Sequence, residues 1–124
     1  MKSAKFSDAA TDSIIRLAAL AAVVDGEASD KEKNLIVEEA SHLLRTSHDN
    51  VRLVLDIWLN KYQNDGAGNS PAIALNFAMT ELQALNPSEK HLAFHICQEV
   101  INIEKTVIKS ELPFMLQLHK LIYS

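Results

Sequence analysis

Apolar residues recur at three- and four-residue intervals along almost the whole of this 124-residue chain. No segment shows the strict apolar–polar alternation of a half-buried strand. That periodicity confines the fold to helices. Three glycines and three prolines leave few places for tight turns, so the helices must be few and long. A first helix is expected from Ser7 or Asp8 to about Val24, with Ile14, Leu17, Ala18 and Ala21 on one face, and its many alanines suggest closely approaching neighbours. Asp25-Gly26 ends it, because glycine adopts the left-handed conformation that closes helices at little cost.

Local signals then divide the rest of the chain. Ser29 and Glu32 make the S-x-x-E pattern of a capping box, opening a second helix that carries Leu35, Ile36, Leu43 and Leu44 to about Arg45. Ser47 caps a third, with Val51, Val54, Leu55, Trp58 and Leu59 inward. The loop NDGAGNSP leads to Pro71 at the first position of a fourth helix, expected to run to about Leu85. Asn86-Pro87-Ser88-Glu89 starts a fifth, reaching about Glu104, and a sixth runs from near Ser110 to the C-terminus with Phe114, Met115, Leu118, Leu121 and Ile122 apolar. The expectation is an all-α, single-domain bundle of about six helices spanning residues 1–124.

Composition narrows the function. The 48% hydrophobic and 23% charged balance is that of a globular domain. A formal charge of −4, with no Lys/Arg run, argues against a nucleic-acid or anionic-membrane binder. Cys97 is the only cysteine, so no disulfide forms within the chain, in keeping with a reducing compartment. The apolar run Leu17 to Val24 is too short to cross a bilayer, and Asp8, Asp12 and Arg16 interrupt any signal-peptide pattern before it. A cytoplasmic location is expected.

Shifting the chain so that Leu17 falls on Ile96 lays the last two helices over the first two. Ala21 then meets Val100, Leu35 meets Phe114 and Leu43 meets Ile122, while Asp25 meets Glu104 and Glu32 meets Glu111. The apolar faces agree although identity is almost nil, and two pseudo-symmetric helical hairpins are expected. The stretch AALAAVVDGEASDKEKNLI, a small-residue helix followed by D-G-E, a capping S-x-x-E and an apolar helix, resembles the tellurite-resistance TerB family, which includes a related module in some membrane-anchored DnaJ-like co-chaperones. IEKTVIKSELPFML matches the family's second acidic signature in part, with Glu104 in place of Asp and Lys105 in place of Gly. The resemblance implies a compact helical bundle, acidic residues that bind a cation, and a part in tellurite or chemical-stress response alongside protein partners, often at membranes.

Two readings of the acidic residues follow. If the turns of the two hairpins are adjacent, Asp25, Glu32, Glu104 and Glu111 converge with help from Glu27 and Asp30, and a hard divalent cation, Ca²⁺ or Mg²⁺, relieves their repulsion through oxygen ligands. Alternatively each acid has an ordinary structural use: Asp25 ends a helix, Glu32 completes a cap, and Asp30 and Glu111 complement helix dipoles. The stretch is not an EF-hand, since Asp30 and Ile36 stand where that loop needs glycine and a bidentate Glu.

Other constellations are weaker. His91, His95 and Glu99 share one face of the fifth helix, opposite Leu92, Ile96, Val100 and Ile103, and read as its wet side rather than a zinc site. His42, His48 and His119 read as isolated. Cys97 reads as a buried thiol, Trp58 as core, and GAGNSP as a connector. No G-x-S-x-G or phosphate-binding loop is present. The expected function is therefore a non-enzymatic TerB-like binding or adaptor module with a protein partner and an acidic cation site. Its alternative is an interaction module without metal that docks a partner, or a second copy of itself, through an apolar helix face.

Overall fold

In the computed structural model, residues 7–24, 28–103 and 111–123 are described. They form six helices in chain order: α1 (Asp8–Val23), α2 (Asp30–Leu43), α3 (His48–Asn64), α4 (Pro71–Leu82), α5 (Pro87–Asn102) and α6 (Glu111–Tyr123). No strand occurs among the described residues.

α1 is the axis of the bundle. Ser7 caps it, its hydroxyl accepting from the Ala10 N–H at 3.1 Å. Of its 16 residues 12 are buried, which leaves no wide polar face. A helix that is apolar nearly all round must be covered on all sides, and α2, α3, α4 and α5 all pack against it. Ala18, Ala19, Ala21 and Ala22 are almost wholly inaccessible, and their small side chains let the surrounding backbones come close. The sequence suggests a single apolar face here; the run of alanines turns out to serve several neighbours at once.

Helix starts fall where the caps place them. Ser29 and Glu32 form the full capping box, the Ser29 hydroxyl accepting from the Glu32 N–H at 3.1 Å and Glu32 Oε1 accepting from the Ser29 N–H at 2.8 Å. Asn86 and Glu89 form a second box at the start of α5, at 2.8 and 2.9 Å. Ser47 and Ser70 cap α3 and α4. α4 ends at Leu82, short of the expected Leu85: Ala84 and Leu85 donate three residues back, to Glu81 and Leu82 at 3.1 Å each, and this tightened turn carries Leu85 into the core.

The two hairpins match in their elements. Under the shift that lays Leu17 on Ile96, α1 and α5 coincide end to end, Asp8 on Pro87 and Val23 on Asn102, with caps Ser7 and Asn86 also matched. The two helices pack on one another, and the Cys97 thiol donates to the Leu17 carbonyl at 3.4 Å where they meet. The second helices have different surroundings. α2 packs on α1, α3 and α5, and α6 on α4 and α5, burying Phe114 and Leu118.

Two helices end in the same way with different residues. Ala67 N–H reaches back to the Tyr62 carbonyl at 3.0 Å around Gly66, whose φ is +91°. Thr46 N–H reaches the Ser41 carbonyl at 3.1 Å around Arg45, whose φ is +56°. Both are left-handed terminations, a conformation that costs a residue with a Cβ about 1–2 kcal/mol. Arg45→Gly is expected to stabilise the fold by about 0.5–1 kcal/mol and Gly66→Ala to destabilise it by a similar amount. Thermal melts of the two variants check the opposite signs.

Candidate functional site

The acidic corner between α1 and α2 is described on one side. Glu32 is 2% exposed, its carboxylate pulled into the corner by the capping box. Asp25, Glu27 and Glu104 lie outside the described residues. Glu111 opens α6, and its side chain lies outside them as well. Asp30, in the first turn of α2, is exposed. Among the described residues, no three His, Cys, Asp or Glu side chains gather as a metal-holding group.

The histidines of α5 do not act together. His91 stacks on Tyr123 of α6, ring centroids 4.6 Å apart, whereas His95 Nε2 lies 3.9 Å from Glu39 Oε1 of α2. Glu99 is exposed. His119 is less isolated than its sequence setting suggests: it packs on Tyr123 at 4.6 Å and meets the edge of Phe94 at 5.5 Å. Beside this aromatic group, a cavity of about 270 Å³ between α5 and α6 is lined by Phe94, Ile101, Met115 and Leu116, together with Gln98 and Asn102.

Cys97 is fully buried, and desolvation pushes its thiol up to about 12. A thiol in that state is not a nucleophile near neutral pH. It is expected to resist a thiol reagent in the native protein and to react at once in denaturant. Because the folded state holds its proton above the ordinary value near 9, stability is full below pH 9 and falls above it, by about 1.4 kcal/mol per pH unit until the folded thiol ionises. Cys97→Ala should remove that slope from an alkaline unfolding series.

A polar group that no local pattern announces lies across α1, α3 and α4. Arg16 Nη1 is 3.3 Å from Glu81 Oε1, an ion pair joining residues 65 positions apart, and Glu81 is 8% exposed. The same guanidinium lies 4.3 Å from the centroid of Trp58, which is half-buried beneath it. Trp58 packs on Tyr62 at 5.3 Å, and Tyr62 on Phe77 at 4.9 Å. Tyr62 is fully buried, and desolvation, with the Glu81 carboxylate adding to it, raises its phenol well above the ordinary value. Its hydroxyl and Arg16 Nε are enclosed without a hydrogen-bond partner. The group ties three helices together, and it offers a clamp rather than an opening for substrate.

The described residues also hold no helix long and apolar enough to cross a membrane. Compared with known proteins, the chain matches no family model, no curated protein and no solved structure.

Proposed function

We propose that this chain is a non-catalytic helical binding module of the TerB type, acting in the response to tellurite or other chemical stress and binding a divalent cation at the acidic corner between α1 and α2. The observation that carries the reading is Glu32. It is 2% exposed, its carboxylate held at the head of α2 by the capping box, and it adjoins the most acid-rich stretch of the chain, where oxygen ligands for a hard cation are most abundant. In this reading Glu32 ligates Ca²⁺ or Mg²⁺ together with Asp25 and Glu27, and Glu104 and Glu111 complete the site from the second hairpin. The bound ion then sets the geometry of the two hairpins toward a protein partner in the cytoplasm or at a membrane.

Glu32→Gln is the discriminating variant, because glutamine preserves the capping box while removing the charge. Calorimetric titration of the wild type with Ca²⁺ and Mg²⁺ is expected to release heat and raise the melting temperature. The variant should lose most of both. No heat and no melting shift at millimolar cation in the wild type would end the ion-binding reading.

One observation favours a second reading, a metal-free interaction module. The apolar cavity between α5 and α6 continues onto Leu116, which is 57% exposed, and so offers a partner side chain a place to insert. Leu116→Asp should then abolish partner capture whether or not cation is present, whereas Glu32→Gln should not.

A further inference from the structure

α3 carries two stripes of opposite character. Val51, Leu55, Leu59 and Tyr62 are buried against the bundle, which α3 meets chiefly through α1 and α2 among the described residues. On the opposite side Asn50, Leu53, Ile57, Asn60 and Asn64 recur at alternating three- and four-residue intervals, and all five are exposed. That is the spacing of a coiled-coil seam. Leu53 at 61% and Ile57 at 55% are among the most exposed large apolar side chains, and they stand one turn apart near the middle of the helix. Asn50 and Ile57 fall at the positions called a in such a repeat, Leu53 and Asn60 at those called d. Isoleucine at a with leucine at d favours two strands, and an asparagine at a fixes their register at some cost in stability.

The flanking charges choose the partner. Asp49 and Asp56 lie along one edge of the seam, at the positions called g, and Lys61 lies along the other, at e. Asp56 makes no ion pair with a described residue. Lys61 is held on this face by Asp65, Nζ to Oδ2 3.1 Å, and keeps 51% of its side-chain surface in water. In a parallel pair each g faces the e five residues further along the other helix, so Asp56 of each copy meets Lys61 of the other. The antiparallel alternative sets g against g and brings the aspartates of the two copies together, which repels. A second copy therefore carries the complement of this stripe: leucine against leucine, isoleucine against isoleucine, and a carboxylate–ammonium pair that symmetry repeats twice.

We infer that the outer face of α3 is a self-association surface, pairing in parallel with α3 of a second copy about a two-fold axis that runs along the helices. The helix has 17 residues and two apolar layers, so the contact falls below the roughly 1,200–2,000 Å² of a standard interface and the dimer is reversible. Sedimentation of the full chain from micromolar to millimolar protein is expected to show a monomer–dimer equilibrium that needs no cation. Leu53→Asp should leave a monomer throughout, with unchanged helix content by circular dichroism. Asp56→Lys and Lys61→Asp should each weaken the dimer about tenfold, since reversal turns two attractions into two repulsions, and the two substitutions together should restore it. Crosslinking checks the register, because native Cys97 is fully buried and does not interfere. A short thiol-to-thiol crosslinker should join two copies of Asn60→Cys and should not join two copies of Leu116→Cys, whose position is exposed on α6. A monomer at every concentration would overturn the inference. So would a dimer that Leu116→Asp abolishes and Leu53→Asp leaves intact, or one in which Asn60→Cys links to Asn50→Cys and not to itself.

Discussion

Leu17→Ala is expected to cost about 4–5 kcal/mol of stability, the upper part of the range for truncating a buried leucine. The reason is confinement. Leu17 is wholly inaccessible on a helix covered by four others, so no neighbour is free to move into the space left by the lost methyl groups. Leu118→Ala supplies the contrast. Leu118 is also buried at 1% exposure, but its helix packs chiefly on α4 and α5 among the described residues and can settle inward, so a loss of about 2–3 kcal/mol is expected. Urea denaturation with an unchanged slope measures both. A typical domain has about 5–15 kcal/mol in total, so Leu17→Ala should leave a protein close to the edge of folding. Equal losses at the two sites would mean that α1 is not the enclosed axis of the bundle.

Arg16→Ala carries the second large effect, about 2–4 kcal/mol. The substitution removes the guanidinium from the face of Trp58 and leaves the Glu81 carboxylate, 8% exposed, without its partner at 3.3 Å. Arg16 keeps 28% of its side-chain surface in water, so the loss falls below that of a fully enclosed pair. Removing both charges with apolar residues of similar volume should recover most of the stability, because the desolvation cost disappears with the pair. The comparison is therefore Arg16→Ala against the double variant Arg16→Met, Glu81→Leu in the same chemical denaturation. A double variant as unstable as Arg16→Ala would show that the stacking on Trp58, rather than the pairing, holds α1, α3 and α4 together.

Enclosure of α1 and the Arg16–Glu81 pair are both products of tertiary packing, which local sequence patterns do not encode. Helix starts were legible because a cap is a conversation between residues three apart: Ser29 with Glu32, Asn86 with Glu89, Ser47 with Asn50. Helix ends were less so. The early stop of α4 at Leu82 follows from carrying Leu85 into the core, and Arg45 takes a left-handed turn that nothing about arginine announces. The Arg16–Glu81–Tyr62 group joins three helices and has no spacing to recognise, because its members become neighbours only after the bundle forms. The stretch AALAAVV does carry the signal of a central helix, since small apolar residues on every side leave no face for water. Of the acidic corner, the capping role of Glu32 was legible and its burial was not.

Structure determination in millimolar Ca²⁺ tests the ion-binding corner most directly. The result anticipated is an ion at the α1–α2 bend with a Glu32 carboxylate oxygen about 2.3–2.6 Å away, the ordinary calcium–oxygen distance. A bend that holds no ion, with the Glu32 carboxylate engaged by protein groups alone, would contradict it.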